Sequence, residues 1–380
     1  MIYIVIFIFS IILMKRAYII YVSNKDFDID NYTSVKIIYT LFFSFLPLLL
    51  LATFRDLSIG YDVRVYQYSL SQIAERSNSL RDYYAINFVG QNMEPLYAFC
   101  TYVGTKIAGM KGVFFINEFL VLIFTYAAIW KLKDYIVPQK ILACFLFIYY
   151  LHTFDIIRQS IAMSIIFYTY TRLRERKYIS SIILVIIAFM FHKSAILGIG
   201  IVFLYYVSVR NLRWFYGALV LLAVGAVSFS YRQIFVFLFK FLPFLPERYI
   251  DSRYLSLEGG VDINVAKLIY IIIALGVLLI AYYLHANEII DNYTFLLYMM
   301  ILAVARITVG SQAEFAYRAF LYPEYFSIMV VPQYEYLLKQ EKGNFMIGEY
   351  LFYGFLLFYC VFFFMIRNVG ETYPYILNKM

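Results

Sequence analysis

PLYAFCTYVGTKIAG, running from Pro95 to Gly109, is the stretch whose placement decides the fold. It is apolar enough to enter a bilayer. Yet it opens with proline, carries Lys106 and falls short of the ~20 residues a helix needs to cross a hydrocarbon core of ~30 Å. On both sides the chain holds further apolar runs, giving candidate spans at about 2–21, 36–54, 113–131, 140–155, 157–172, 178–192, 194–209, 214–231, 265–284, 293–310, 315–332 and 346–366. If Pro95–Gly109 crosses, then Lys131, Lys133, Lys140 and the run RLRERK (Arg172 to Lys177) face the side opposite Lys15, Arg16, Lys25 and Lys36. If it is re-entrant or lies flat, all of these share one side with Arg210, Arg213, Lys339 and Lys342. The excess of Lys and Arg expected in cytoplasmic loops selects the second arrangement. It places the loops 55–112 and 232–266 outside, with Ser77 and Ser256 external and Lys133, Glu175 and Lys342 internal.

Composition bounds the class. The chain is 63% hydrophobic and 15% charged, against roughly 25% charged in an ordinary soluble domain. The expectation is an all-α integral membrane protein, a polytopic bundle of about 12 transmembrane helices. It would have two long external loops, a re-entrant segment near 95–109, and one membrane-embedded domain over residues 1–380. Met1 to Met14 resembles a signal-peptide core, but Lys15 and Arg16 follow the apolar run instead of preceding it, so the segment reads as a retained helix with its amino terminus outside. The net charge of +8 is spread over short loops, the pattern that orients helices in a bilayer, and nucleic acid is not an expected partner. Cys100, Cys144 and Cys360 lie in apolar stretches without CxxC or CxH spacing, so they read as packing residues, with no metal and no cofactor expected.

Polar residues inside apolar runs are the pointers to chemistry. Arg158 lies in IRQSIA (157–162) and His192 in FMFHKSAIL (189–197). An intramembrane charge costs on the order of 2.5–3.5 kcal/mol at a helix centre on insertion scales, and it persists where a partner or substrate repays it. With the chosen topology Arg158, His192, Arg306 and Arg318 all come near the external ends of their helices. Each has an ordinary alternative. Asp155, three residues before Arg158, can share its helix face and pair with it, although Gln159 adds a further polar group at that depth. His192 can be a satisfied interfacial histidine, Lys193 can snorkel, and Glu314 can neutralise Arg318. Helix two ends in FRDLSIGYD (54–62), where Gly60 permits a turn and Arg55, Asp56 and Asp62 can face back toward the membrane; a solvated helix end would look the same. Glu94 in MEPLY is either a carboxylate at the mouth of the short segment or a simple acid-then-proline helix start. Several cations on one face point to a diphosphate, because guanidinium groups bind phosphate oxygens in bidentate geometry and stay charged at every relevant pH. Tyr61, Tyr66, Tyr68, Tyr83 and Tyr84, in an external loop, are candidates to stack on sugar rings.

RDLSIGYD at 55–62, EPLY at 94–97, IRQSIA at 157–162, FHKSA at 191–195 and YR...YPEYF at 317–326 resemble, in the same order, the EpsG-like family of polysaccharide polymerases, relatives in role of the Wzy-type O-antigen polymerases. The resemblance implies a multi-pass glycosyltransferase of a bacterial inner membrane. Such an enzyme moves a growing glycan from undecaprenyl diphosphate to the next lipid-linked repeat unit, in capsule, exopolysaccharide or O-antigen synthesis. Its partners would be that lipid-linked oligosaccharide, membrane lipid, and a chain-length regulator and flippase of the same pathway. Arg55, Asp62, Glu94, Arg158, Gln159, His192 and Arg318 match motif positions. Asp62, Glu94, Arg158 and His192 are the catalytic candidates; Arg55, Gln159, Lys193, Arg306 and Arg318 are the substrate-binding ones. Asp62, Glu94 and His192 each remain open as the general base. A flippase for the same lipid and a membrane acyltransferase using His192 are the rival classes.

Overall fold

The computed structural model describes residues 1–25, 31–210, 265–285, 290, 292–310, 318–340 and 345–378. These are helical almost throughout, with one isolated β-bridge, Arg55 to Leu377. The candidate span 214–231, most of the loop 232–266, Ser256, Glu314 and Lys342 lie outside the described residues. Among the described residues four helices are long and apolar enough to cross a membrane: Ile2–Ser23, Asn31–Thr53, Pro95–Lys131 and Phe345–Ile366. Shorter apolar helices cover Tyr178–Phe189, Lys193–Ser208, Lys267–Tyr283 and Tyr293–Val304. Elsewhere the expected spans take other forms. The run 140–155 is a helix Pro138–Cys144 continued by a π-helical turn and a 3-10 segment, and within 315–332 the described residues form short pieces at Leu321–Tyr325, Ser327–Val330 and Val331–Gln333. Pro323 and Pro332 lie in those pieces, where the missing N–H and the ring clash disfavour one long helix.

The chain divides into two compact units, Met1–Lys193 with Asn344–Met380, and Ser194–Gly343. In the first, α1 (Ile2–Ser23) and α2 (Asn31–Thr53) pack together as a hairpin. A turn follows at Gly60, whose φ of +97° favours glycine; a Cβ there would lie 2.1 Å from the carbonyl oxygen of Phe154. After α3 (Tyr68–Arg76) and α4 (Leu80–Ala85) comes α5 (Pro95–Lys131), which bends sharply at Ala108 and Gly109. A straight helix would separate Gly104 from Gly112 by about 12 Å. Instead a Cβ on Gly112 would come within 2.1 Å of the Gly104 carbonyl oxygen, so the chain folds back and only a residue without a side chain fits. The limb before the bend packs on α3 through Ser71–Thr105 (2.9 Å) and is tied by Lys106, which donates to the carbonyls of Glu75 and Ser77 at 3.1 and 2.8 Å.

The limb after the bend packs against α7 (Ile157–Arg174), which follows α6 (Pro138–Cys144) and in turn packs on α8 (Tyr178–Phe189). Thr153 donates to Glu118 at 2.9 Å near the start of this contact, and Lys131 pairs with Glu175 at its far end. The carboxy-terminal tail returns to the α2–α3 turn. Asp56 donates to the carbonyl of Ile376 (2.9 Å), Asn378 to that of Phe54 (2.8 Å) and Gly60 to that of Glu371 (3.2 Å), while the Tyr3 hydroxyl donates to the carbonyl of Thr372 at 2.6 Å.

In the second unit α9 (Gly198–Ser208), α10 (Val265–Tyr283) and α11 (Tyr293–Gly310) surround an aromatic core in which Phe295 packs edge-on against Tyr205 and Phe326. Lys267 and Glu324, both buried, pair there at 3.0 Å.

Candidate active site

The start of α5 is held to the end of α8 by a backbone hydrogen bond, Leu96 N–H to the Met190 carbonyl at 3.1 Å. Pro95 occupies the first helical position and Glu94 the N-cap, as an acid-then-proline helix start would have it. The Glu94 side chain nevertheless makes no capping hydrogen bond. Buried at 3% exposure, it turns to bridge two other helices. Oε2 accepts from Nη1 of Arg158 at 2.8 Å; Oε1 lies 3.3 Å from Nδ1 of His192 and accepts the backbone N–H of Lys193 at 3.2 Å. Three sequence motifs that are far apart in the chain thus meet on one carboxylate.

Burial by itself would raise the Glu94 carboxyl's pKa. The His192 hydrogen bond and the Arg158 cation outweigh it and hold the group below the usual carboxylate range, so it is an anion at neutral pH. The Arg158 guanidinium carbon stands 4.6 Å from the Tyr66 ring centre and 5.8 Å from that of Tyr97, which adds a cation–π contribution. The Tyr66 hydroxyl donates to Asp62 at 2.5 Å, so Asp62 enters the cluster through that ring. Nη1 of Arg158 also points at the Met93 sulfur at 3.8 Å, while Nε and Nη2 make no hydrogen bond among the described residues and the side chain stays 17% exposed. The arginine is anchored through one nitrogen and keeps further donors for a ligand.

The remaining candidates are placed differently. Arg55 is 1% exposed, sandwiched by Phe114 (3.9 Å to the ring centre) and Phe154 (4.3 Å), with its Nη1 donating to the Ala52 carbonyl at 3.0 Å. Glu118 favours its charge electrostatically, while its Nε has no hydrogen-bond partner among the described residues, so this cation is enclosed within the fold. Gln159 is buried beside Arg158 on α7. Lys193 contributes its backbone N–H. Arg318 is half-buried in the other unit, and the side chain of Arg306 lies outside the described residues. The tyrosines expected to face sugars divide: Tyr61 and Tyr68 are exposed, whereas Tyr66 and Tyr83 are buried. The parts not anticipated from the sequence are the rings of Tyr66 and Tyr97 around Arg158 and the tail that fixes the 54–60 turn. In a chain with 40 tyrosines, no local pattern separates these two from interface packing. Among the described residues no group of three His, Cys, Asp or Glu side chains is placed to hold a metal ion.

No curated protein and no solved structure matches the chain. A family model does match, that of the EpsG family, over residues 36–377. That interval contains all five motifs and reaches into both compact units. A chain whose described residues are helical almost throughout, with apolar helices of membrane-spanning length and those motifs in order, is a membrane protein of polysaccharide synthesis. The chain belongs to the EpsG family, whose members are Wzy-like polysaccharide polymerases.

Proposed function

We propose that this protein transfers a growing glycan from undecaprenyl diphosphate to the next lipid-linked repeat unit at the external face of a bacterial inner membrane, in capsule, exopolysaccharide or O-antigen synthesis. The observation that carries the proposal is Arg158, held through Nη1 by Glu94 with donors to spare in a cluster that also contains His192. In the transfer, an acceptor hydroxyl oxygen bonds to the anomeric carbon of the donor glycan. The bond from that carbon to the diphosphate oxygen breaks, and its electron pair leaves with the carrier. Arg158 stabilises the charge growing on the diphosphate more in the transition state than in the ground state.

His192 takes the acceptor's proton in this scheme. Donation from Nδ1–H to Glu94 would put the basic lone pair on Nε2, and the carboxylate stabilises the imidazolium that forms, the division of roles seen in acid–histidine pairs generally. Glu94, already committed to Arg158 and His192, is the positioning anion, and Asp62 acts through Tyr66. The sharp bend at Ala108–Gly109 supports a re-entrant placement of 95–109 in a bundle of about 12 spans. The family match across both units supports one polymerase domain over the whole chain.

Purified protein given defined undecaprenyl-diphosphate repeat units in EDTA, without nucleotide sugar or ATP, should produce a ladder of longer glycans. Arg158→Ala should abolish it, a loss of about 10²–10³-fold, the size seen when one transition-state donor is removed. Movement of lipid between leaflets creates no longer glycan. Monodisperse protein that yields no ladder but scrambles labelled carrier lipid across liposomes would replace the polymerase reading with a flippase.

A further inference from the structure

The hairpin of α1 and α2 carries a second feature that the polymerase reading does not use. A groove of about 520 Å³ opens between the two helices. Its wall on α1 is Phe9, Leu13 and Arg16, spaced four and three residues apart, and its wall on α2 includes Lys36, Tyr39 and Phe43, spaced three and four apart. Both sets therefore share one helix face. Ser44 meets the Ser10 carbonyl at 2.8 Å; Arg16 and Lys36 both line the groove on the side of that contact toward the linked ends of the helices, with Phe9 and Phe43 each seven residues from them in the direction of the other end. That places both aromatic rings about 10 Å further along the groove. Phe9, Tyr39 and Phe43 are 47%, 61% and 53% exposed, so no part of the described protein covers them.

Among the described residues no carboxylate lines the groove, and neither Arg16 nor Lys36 forms an ion pair. Two like charges side by side at an apolar slot repel each other and are stabilised by an anion between them. An occupant that is anionic at one end and apolar over at least ~10 Å fits both facts. The groove also lies far from Arg158. The first turn of α1 is joined to the tail through Tyr3 and Thr372, the end where the Gly60 turn meets Phe154, four residues before Arg158. The last turn of α1, toward which Arg16 lies, is joined instead to Asp134 through Tyr21 (2.8 Å) and through Lys25 (2.7 Å) beyond the helix end.

We propose that this groove binds an anionic glycerophospholipid, its phosphate between Arg16 and Lys36 and its acyl chains along Phe9, Leu13, Tyr39 and Phe43. Arg16 and Lys36 belong to the set of cations that the charge bias assigns to the cytoplasmic side, where anionic glycerophospholipid is the abundant lipid of that charge. The carrier diphosphate, in the reading above, is handled at the opposite end.

Native mass spectrometry of the full-length protein from detergent, titrated with dioleoyl phosphatidylglycerol, dioleoyl phosphatidylcholine or undecaprenyl phosphate, tests the assignment. Phosphatidylglycerol should give a one-lipid adduct at least ten-fold more abundant than phosphatidylcholine at equal concentration. The R16Q/K36Q variant should lower it to the phosphatidylcholine level, and Lys15→Gln, which changes charge outside the groove, should leave it intact. Equal adducts of the two glycerophospholipids with wild-type protein, or full retention in the double variant, would overturn the proposal. Displacement of phosphatidylglycerol by equimolar undecaprenyl phosphate would overturn it too, in favour of a carrier-lipid site. If the double variant does not fold, Leu13→Trp carries the test, since it keeps both cations and fills the slot: loss of the adduct supports the site and retention overturns it. None of these outcomes depends on polymerase activity.

Discussion

Arg158 and Arg55 are both guanidinium groups set against aromatic rings, and they differ in how far a ligand can reach them. Arg55 is 1% exposed between two phenylalanine rings, with Glu118 as its electrostatic partner. Arg158 is 17% exposed in its side chain, lies at the first turn of α7, and spends one nitrogen on Glu94. The comparison separates a cation that organises a core from one that can organise a reaction. An arginine enclosed by hydrocarbon has no room for a phosphate, even where its Nε lacks a partner. One that is partly exposed and anchored at a single nitrogen has orientation, spare donors and a way for a ligand to reach them.

The largest expected effect comes from exchanging the fates of the two. Arg55→Ala removes a large buried side chain from between Phe114 and Phe154, a loss of about 2–5 kcal/mol, so membrane abundance and thermal midpoint should fall steeply. Arg158→Lys keeps the charge but loses the planar fork; abundance should stay near wild type while polymer formation falls by about ten-fold or more, on the scale of one charge-assisted hydrogen bond. Immunoblotting of membranes beside product length resolves the two behaviours. A well-expressed, inactive Arg55→Ala protein would bring Arg55 into the site and erase the contrast. Wild-type product from Arg158→Lys would remove Arg158 from the diphosphate role.

A smaller effect follows from Glu94. Its folded-state pKa is depressed, so its contribution to stability is present above its ordinary value, which is near 4.5, and is lost as pH falls below that. The thermal midpoint of wild-type protein should therefore hold from neutral pH down to about 5 and decline on acidification below about 4.5. Glu94→Gln, nearly the same shape without the charge, should start lower and show a flatter decline. Parallel curves for the two proteins would mean that another carboxylate governs this range. The mildest change is Tyr66→Phe. It keeps the ring beneath Arg158 and removes the hydrogen bond to Asp62, worth about 1 kcal/mol, so turnover should drop by only a few-fold at unchanged abundance. A loss as large as that of Arg158→Lys would promote Tyr66 from a support to a group that touches substrate.

The motifs around Glu94, Arg158 and His192 were legible because a charge in an apolar run is costly and therefore conspicuous. Their joint role was not legible. The local neighbour offered to Arg158 was Asp155, one helical turn away, whereas the carboxylate that binds it comes from 64 residues earlier in the chain. Arg55 was grouped with the other cations for the same reason: a sequence displays charge without displaying what surrounds it. Tyr66, which the sequence offers as one of several loop tyrosines to stack on sugar rings, lies beneath the guanidinium.

What the sequence determined by itself was the solvent of this protein and its family. The apolar runs are local and additive, and transfer from water to hydrocarbon depends on composition more than on contacts, while the five motifs keep their order whatever the fold does. The tertiary structure alone decided which helices reach membrane length, where α5 bends back at Gly109, and which arginine stays partly exposed. Those outcomes rest on packing between segments far apart in the chain. A carboxylate at residue 94 becomes an orienting anion only when the start of α5, the first turn of α7 and the end of α8 are brought within hydrogen-bond distance, and the energy of that arrangement depends on geometry that no local stretch of sequence contains.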